Sequence, residues 1–233
     1  MKVEVFHQLL DRVCAQLTHV CIHTSPCTIQ QNHQGGNLMI CRHIRQEDQH
    51  MAPWAGGCTC QLAIWPPEAQ YADRNFLWRI SAAEATVEES DYTSLPDYER
   101  LLCTTSGTIR LQHGEKPPVL LAPYEIHHFD GGIPTHSWGQ CKDFNLMFRK
   151  GHCRGSMEAL SLANSKEPLL LDTRKADWLL LYCVFGKVYT LDKTISVREA
   201  LLLTRPENFF LTGDAGSHIM IVRIWADHHL LNR

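Results

Sequence analysis

Two arginines and a set of short polar side chains are the residues of this chain best suited to hold an anion. If NFLWRIS (75–81) is a strand, Phe76, Trp78 and Ile80 share one face while Arg79 and Ser81 share the other. In DFNLMFR (143–149) the same alternation puts Phe144, Leu146 and Phe148 on one side and Asp143, Asn145 and Met147 on the other. With the apolar rows packed between layers, Arg79, Asp143 and Asn145 are predicted to line one polar-walled cavity. Arg79 and Arg100 are the natural carboxylate hands, because a guanidinium offers a planar two-donor fork to an anionic oxygen pair. The alternatives are a structural Arg79–Asp143 ion pair and a solvated Arg100 at the start of a strand.

Histidines and cysteines are the other candidates for chemistry. A metal-binding β-roll of this texture usually carries two histidines one residue apart, an acid soon after, and a third histidine on a later strand. Here His127 and His128 are adjacent, so on a strand they point to opposite faces. His113 and His136 are the residues that would complete a metal site with one of them, yet no spaced acid accompanies the set. The expectation is therefore that no metal or other cofactor is bound. In PWAGGCTC (53–60), Cys58 and Cys60 share a strand face, but two thiols are half a zinc site at most. The other cysteines form no spaced pairs, so the ten are expected to be free thiols packed as small apolar groups. No G-x-S-x-G elbow, phosphate-cradling glycine loop or paired catalytic carboxylates occur, which favours binding over catalysis.

Composition narrows the classes further. The 233 residues are 44% hydrophobic, enough for a sizeable core, with a net charge of −3 and no basic stripe. Nucleic acid and anionic membrane surfaces are therefore not expected partners. No run approaches the ~18 apolar residues of a membrane span, and MKVEVFHQLLDRV interleaves charges where a secretory signal would be apolar. A cytoplasmic location is expected.

Residues 2–23 read as a helix, with Val3, Phe6, Leu10, Val13, Leu17 and Val20 forming one apolar stripe. Ser25-Pro26 stops it, and QQNHQGGN (30–37) reads as a polar linker. From Leu38 the chain breaks into short β-type runs with Gly/Pro punctuation, the pattern of an antiparallel sandwich or barrel. An internal repeat sharpens this. RLLCTTSGTIRLQHG, VLLAPYEIHHFDGG and DFNLMFR correspond to WLLLYCVFGKVYTLD, ALLLTRPENFFLTGD and HIMIVRI. Gly107 matches Gly186, Pro123 matches Pro206 and Gly131 matches Gly213, an offset of about 80 residues. The expected organisation is an N-terminal extension (1–36), a first roll (37–150) and a second roll (151–233). HIMIVRI lacks the polar row of DFNLMFR, so the first roll is the place to look for a site.

Four segments carry a family resemblance: WAGGCTCQLAIWPPEAQYADRNFLWRISAAE (54–84), YTSLPDYERLL (92–102), FDGG (129–132) and DFNLMF (143–148). Together they resemble the HutD/Ves family of bacterial bicupins, from about Leu38 to the C-terminus. The resemblance implies two fused cupin rolls, no demonstrated catalysis and a small-molecule pocket in the first roll. It also implies a link to histidine utilisation, in which N-formylglutamate has been proposed as a ligand. On that basis Arg79, Arg100, Asn145 and Ser81 would hold a dicarboxylate with a formamide group, and Thr59 and Trp54 would form its rim. Two departures stand out. Only AGGC separates Trp54 from Thr59, where many members have a longer Asn-containing turn, and many carry an acid near Gln61.

The expectation is an all-β bicupin with an N-terminal helical extension that binds a small polar metabolite, a carboxylate, without chemistry. Its rivals are a cupin enzyme using a metal on His127 or His128 with His113 and His136, and a scaffold recruiting a partner through the N-terminal helix. A homodimer is expected only by analogy with other cupins.

Overall fold

Two runs, CKDFNLMFR and WLLLYCVF, explain the architecture between them. The first alternates. Phe144, Leu146 and Phe148 enter one buried core, while Asp143, Asn145 and Met147 face the opposite side. The second is apolar at nearly every position because both its faces are covered. Trp178, Leu180 and Tyr182 join the core that holds Phe144, and Leu179, Leu181 and Cys183 enter another.

The computed structural model describes residues 28–30, 39–162 and 167–227. Strands β1 (Thr28–Gln30) and β2 (Met39–Ile44) precede β3 (Met51–Trp54), β4 (Gly57–Trp65), β5 (Trp78–Ala85), β6 (Glu89–Asp91) and β7 (Tyr98–Ser106). Then come β8 (Ile109–His113), β9 (Val119–Leu121), β10 (Ile126–Asp130), β11 (Thr135–Trp138) and β12 (Cys141–Arg149). The second half holds β13 (Cys153–Leu162), β14 (Leu169–Leu171), β15 (Trp178–Phe185) and β16 (Lys187–Thr190). It closes with β17 (Lys193–Ser196), β18 (Ala200–Thr204), β19 (Phe209–Gly213) and β20 (Ser217–Ala226).

The strands form two rolls, each a six-stranded sheet facing a four-stranded one. The first roll pairs β10-β7-β12-β5-β4-β3 with β6-β11-β8-β9, and the second pairs β1-β2-β18-β15-β20-β13 with β14-β19-β16-β17. Neighbouring strands run antiparallel throughout. The two large sheets pack face to face across a core containing Trp78, Phe144, Trp178 and Tyr182. The all-β, two-roll expectation is met.

Several details differ from the sequence reading. The helix expected over residues 2–23 lies outside the described residues, so the helical extension gains no support. Within that extension, Thr28–Gln30 is a strand paired with β2, so Gln30 ends a strand where its polar neighbours predict the start of a linker. The sequence pattern groups β2 with the first roll, but Ala200↔Ile44 and Leu203↔Cys41 put it in the large sheet of the second. Phe76 does not share a core with Trp78 and Ile80. It precedes β5 and packs on Tyr98, with ring centroids 4.3 Å apart. Strand alternation cannot be extended past the end of a strand.

The repeat is visible as matched backbone. Gly107 and Gly186 both take left-handed φ values, +80° and +76°, in the tight turns after β7 and β15. A Cβ on Gly107 would sit 2.4 Å from the Gln140 carbonyl oxygen, which is fixed backbone. Gly107→Ala is expected to cost about 1–3 kcal/mol through strain and that clash. The check is a lowered urea midpoint with an unchanged slope.

Candidate functional site

The register of the two rolls shows where they diverge. In the first, Arg100 lies opposite Met147, Leu102 opposite Asn145 and Thr104 opposite Asp143. In the second, Leu179 lies opposite Arg223, Leu181 opposite Ile221 and Cys183 opposite Ile219. The positions of Arg100, Asn145 and Asp143 are thus occupied by Leu179, Ile221 and Ile219. These three are fully buried in the second roll's interior core. The second roll is filled where the first is hollow.

That hollow is a cavity of about 300 Å³, and Trp54, Thr59, Arg79, Ser81, Arg100, Asp143 and Asn145 all line it. Strand β5 contributes Arg79 and Ser81, β7 contributes Arg100, and β12 contributes Asp143 and Asn145. Strands β3 and β4 bring Trp54 and Thr59 to the rim. The Trp54 ring also lies against the turn at Gly56, where a Cβ would come within 2.1 Å of it. One side chain therefore both walls the cavity and covers the glycine turn.

Neither guanidinium makes an ion pair among the described residues, although the Asp143 carboxylate is close enough to Arg100 for each to favour the other's charge. Arg79 Nε donates to Gln61 Oε1 at 2.8 Å and Nη1 to Ser81 Oγ at 3.2 Å, and its Cζ lies 4.5 Å from the Tyr71 ring centroid. Arg100 Cζ lies 4.8 Å from the Tyr92 ring and 5.4 Å from Phe129. Among the described residues, no carboxylate comes within ion-pair distance of either arginine, so the Arg79–Asp143 bridge does not form. Arg100 is not the solvated strand start considered above, since only 4% of its surface is exposed. Burial pulls both guanidiniums below their ordinary pKa, and Arg100 lowers Arg79 further. Arg100 Nε, Asn145 Oδ1 and Thr104 Oγ1 are buried with no hydrogen-bond partner. Such atoms cost free energy unless a ligand or water satisfies them.

Asp143 is the cavity's buried carboxylate. Burial pushes it up to about 6, with Arg100 pulling the other way. The folded chain therefore binds more protons at Asp143 than the unfolded chain does between about pH 4 and 6. The stability linked to this group is fully present below pH 4 and is lost as the pH rises through 6. Its ceiling is about 3 kcal/mol, from two units at 1.36 kcal/mol each. Asp143→Asn is expected to flatten this part of the stability profile. Urea unfolding at pH 4.5, 6 and 7.5 checks it, and parallel profiles for both proteins would sink the assignment.

Sequence reasoning missed Tyr71 and Tyr92, the rings beneath the two arginines. Both fall inside the motif segments quoted above, but only the three-dimensional stacking assigns their role. Gln61 had been marked solely as a departure from the usual acid. In the structure it is the neutral acceptor on Arg79, so it leaves the guanidinium charge uncompensated.

The four histidines do not assemble a metal centre. His113 Nε2 and His127 Nε2 approach to 2.8 Å, and His113 Nδ1 lies 2.8 Å from Thr135 Oγ1. His128 turns outward to Glu99 at 2.9 Å, and His136 pairs with Asp91 at 2.7 Å. Among the described residues, no three His, Cys, Asp or Glu side chains converge as a ligand set. Cys58 and Cys60 are free thiols on β4. Also among the described residues, no helix is long and apolar enough to cross a membrane.

Comparison with known proteins places this geometry in a family. No curated protein matches the chain. Among solved structures, the chain is similar to HutD from Pseudomonas fluorescens SBW25, determined in a formate condition. That match has TM-score 0.66 and 18% identity, and covers 80% of this chain and 98% of that one. It is also similar to the conserved protein of unknown function PA5104 from Pseudomonas aeruginosa PAO1, with TM-score 0.68 and 19% identity, covering 80% and 99%. The nickel complex of the bacterial pirin YhhW from Escherichia coli shares the fold at TM-score 0.61 and 10% identity, covering 78% and 98%. The HutD family model matches residues 46–221, a span that holds every residue lining the first cavity, and this chain belongs to the HutD family.

Proposed function

We propose that the first roll binds a small dicarboxylate without chemical conversion, its carboxylates taken by Arg79 and Arg100. The observation that carries this reading is the pair of buried guanidiniums with no carboxylate partner, facing one small cavity. Two buried positive charges gain more from a ligand anion than exposed ones, because little water competes for them. The unpartnered Asn145 Oδ1 asks for a donor, and an amide N–H between two carboxylates supplies one. An acyl amino acid such as N-formylglutamate has those groups, and the cavity volume suits a molecule of that size. Formate, named with the Pseudomonas fluorescens HutD structure, is the smallest carboxylate to try. Family membership supports a place for the chain in histidine utilisation, as a binder rather than a catalyst.

Titration calorimetry with formate, glutamate, N-formylglutamate and N-acetylglutamine tests the reading. Micromolar binding of the formylated dicarboxylate, with weaker binding of the monocarboxylates, is the expected order. Equal or absent binding across the set would overturn it.

A further inference from the structure

A second cavity, of about 440 Å³, opens between the two rolls and shares only the Ala83–Asp143 rung with the first. Its contents differ in kind. Tyr124 and His218, one from each roll, stack with centroids 4.8 Å apart and planes at 19°, an aromatic pair at the wall of the cavity. Tyr182 is nine-tenths buried, yet its hydroxyl makes no hydrogen bond within the described chain. Burial pushes that hydroxyl up to about 12 against the pull of nearby Arg198, so it stays a neutral donor.

Arg198 has a φ of +66°, in the left-handed region that Tyr124 of the same cavity also occupies at +69° and that large side chains rarely adopt. The turn around it is held from several directions. Its N–H donates to the Cys183 carbonyl at 2.8 Å, and its carbonyl accepts from Gln49 Nε2 at 2.6 Å. The preceding Val197 carbonyl accepts from Gln46 Nε2 at 2.5 Å. Both glutamines lie in the connector that joins β2 to β3 across the rolls. A backbone outlier this well secured is the kind that persists at a working site. The guanidinium's own contact is Met51 Sδ at 3.9 Å, with no carboxylate in reach among the described residues. Lys142 stands at the same cavity, only loosely paired with Glu84 at 3.9 Å.

We propose that this inter-roll cleft is a second binding site, for a planar aromatic molecule carrying one acidic group. Arg198 and the Tyr182 hydroxyl hold the acid, and the ring packs against the outer side of the Tyr124–His218 stack. The acid is a carboxylate or a phosphate, since both match a guanidinium fork and a hydroxyl donor. This site is chemically distinct from the first cavity, whose Tyr71 and Tyr92 rings are taken by two guanidiniums and which also holds an orphaned amide oxygen. It does not depend on the reading given for that cavity.

The test is titration calorimetry of the full chain with 4-hydroxybenzoate and phenyl phosphate, the tighter of the two identifying the acid. Arg198→Asn is the deciding variant, because asparagine tolerates the left-handed backbone and keeps the turn while deleting the cation. Binding at least tenfold weaker in this variant, with Arg79→Gln binding the probe as the parent does, is the expected result. If neither probe binds at millimolar concentration, or Arg198→Asn binds unchanged, the site does not exist. Loss of binding in Arg79→Gln alone would place the probe in the first cavity and equally overturn the proposal.

Discussion

An Arg100→Gln variant binds the dicarboxylate about a hundredfold more weakly than the parent chain and is more stable when empty. Removing one partner of a buried, hydrogen-bonded charge pair costs roughly 2–5 kcal/mol of affinity, at about 1.4 kcal/mol per factor of ten. The stability gain has the same origin. Arg100 is buried to 4% exposure with Nε unpartnered and no carboxylate in ion-pair contact, so the empty fold carries the cost of its desolvation. A shorter, neutral glutamine removes most of that cost, and a gain of about 1–2 kcal/mol is expected from relieving it. Calorimetry gives the first quantity and urea unfolding of the empty chain the second. A variant that loses stability and keeps its affinity would make Arg100 a structural residue and end the dicarboxylate reading.

Trp178→Ala is expected to destabilise the chain by about 3–5 kcal/mol, the usual cost of emptying a large aromatic site in a packed core. Trp178 is 2% exposed and meets Trp65 at 5.3 Å and Trp78 at 5.5 Å, one tryptophan of the second roll against two of the first. The indole nitrogens of Trp78 and Trp178 are buried without acceptors, so packing rather than hydrogen bonding stabilises the cluster. Because the cluster joins the two large sheets, the urea slope is informative as well. A lower midpoint with the slope retained means that the rolls still unfold together, and a reduced slope means that they have come apart. A loss below 1 kcal/mol would show that the rolls do not rely on this contact.

The polar face was legible because β12 and β5 are regular and half-covered. Asp143, Asn145, Arg79 and Ser81 obey a two-residue period wherever the strand persists. Phe76 broke the rule because the chain has not yet entered β5 at that residue. The two-roll plan was legible because Gly107 and Gly186 must both turn with positive φ, which fixes glycine at matched points of the repeat. The partners of the arginines were hidden for a different reason. Tyr71 opens a single 3-10 turn and Tyr92 lies in a loop, and the path of both segments depends on tertiary packing rather than on any local period. The sheet joined by β2 was hidden as well. A strand's apolar pattern shows that it has a partner, while its partner here, β18, follows more than 150 residues later.

That pairing has a consequence for synthesis. As the chain leaves the ribosome, the first roll can close once β12 has emerged. The second cannot complete its large sheet from its own residues, because its β2 was made first and has waited beside an already folded neighbour. At roughly 5–20 residues per second, the wait between Ile44 and its partner Ala200 is roughly 8–30 s. During that interval only the β1 edge of β2 has its partner, and the edge that later meets β18 is open to pairing with a neighbouring copy. A fragment beginning at β13 would lack this strand for good and leave β18 as an exposed edge, so the second roll should express poorly alone. Supplying residues 28–50 in trans should rescue it.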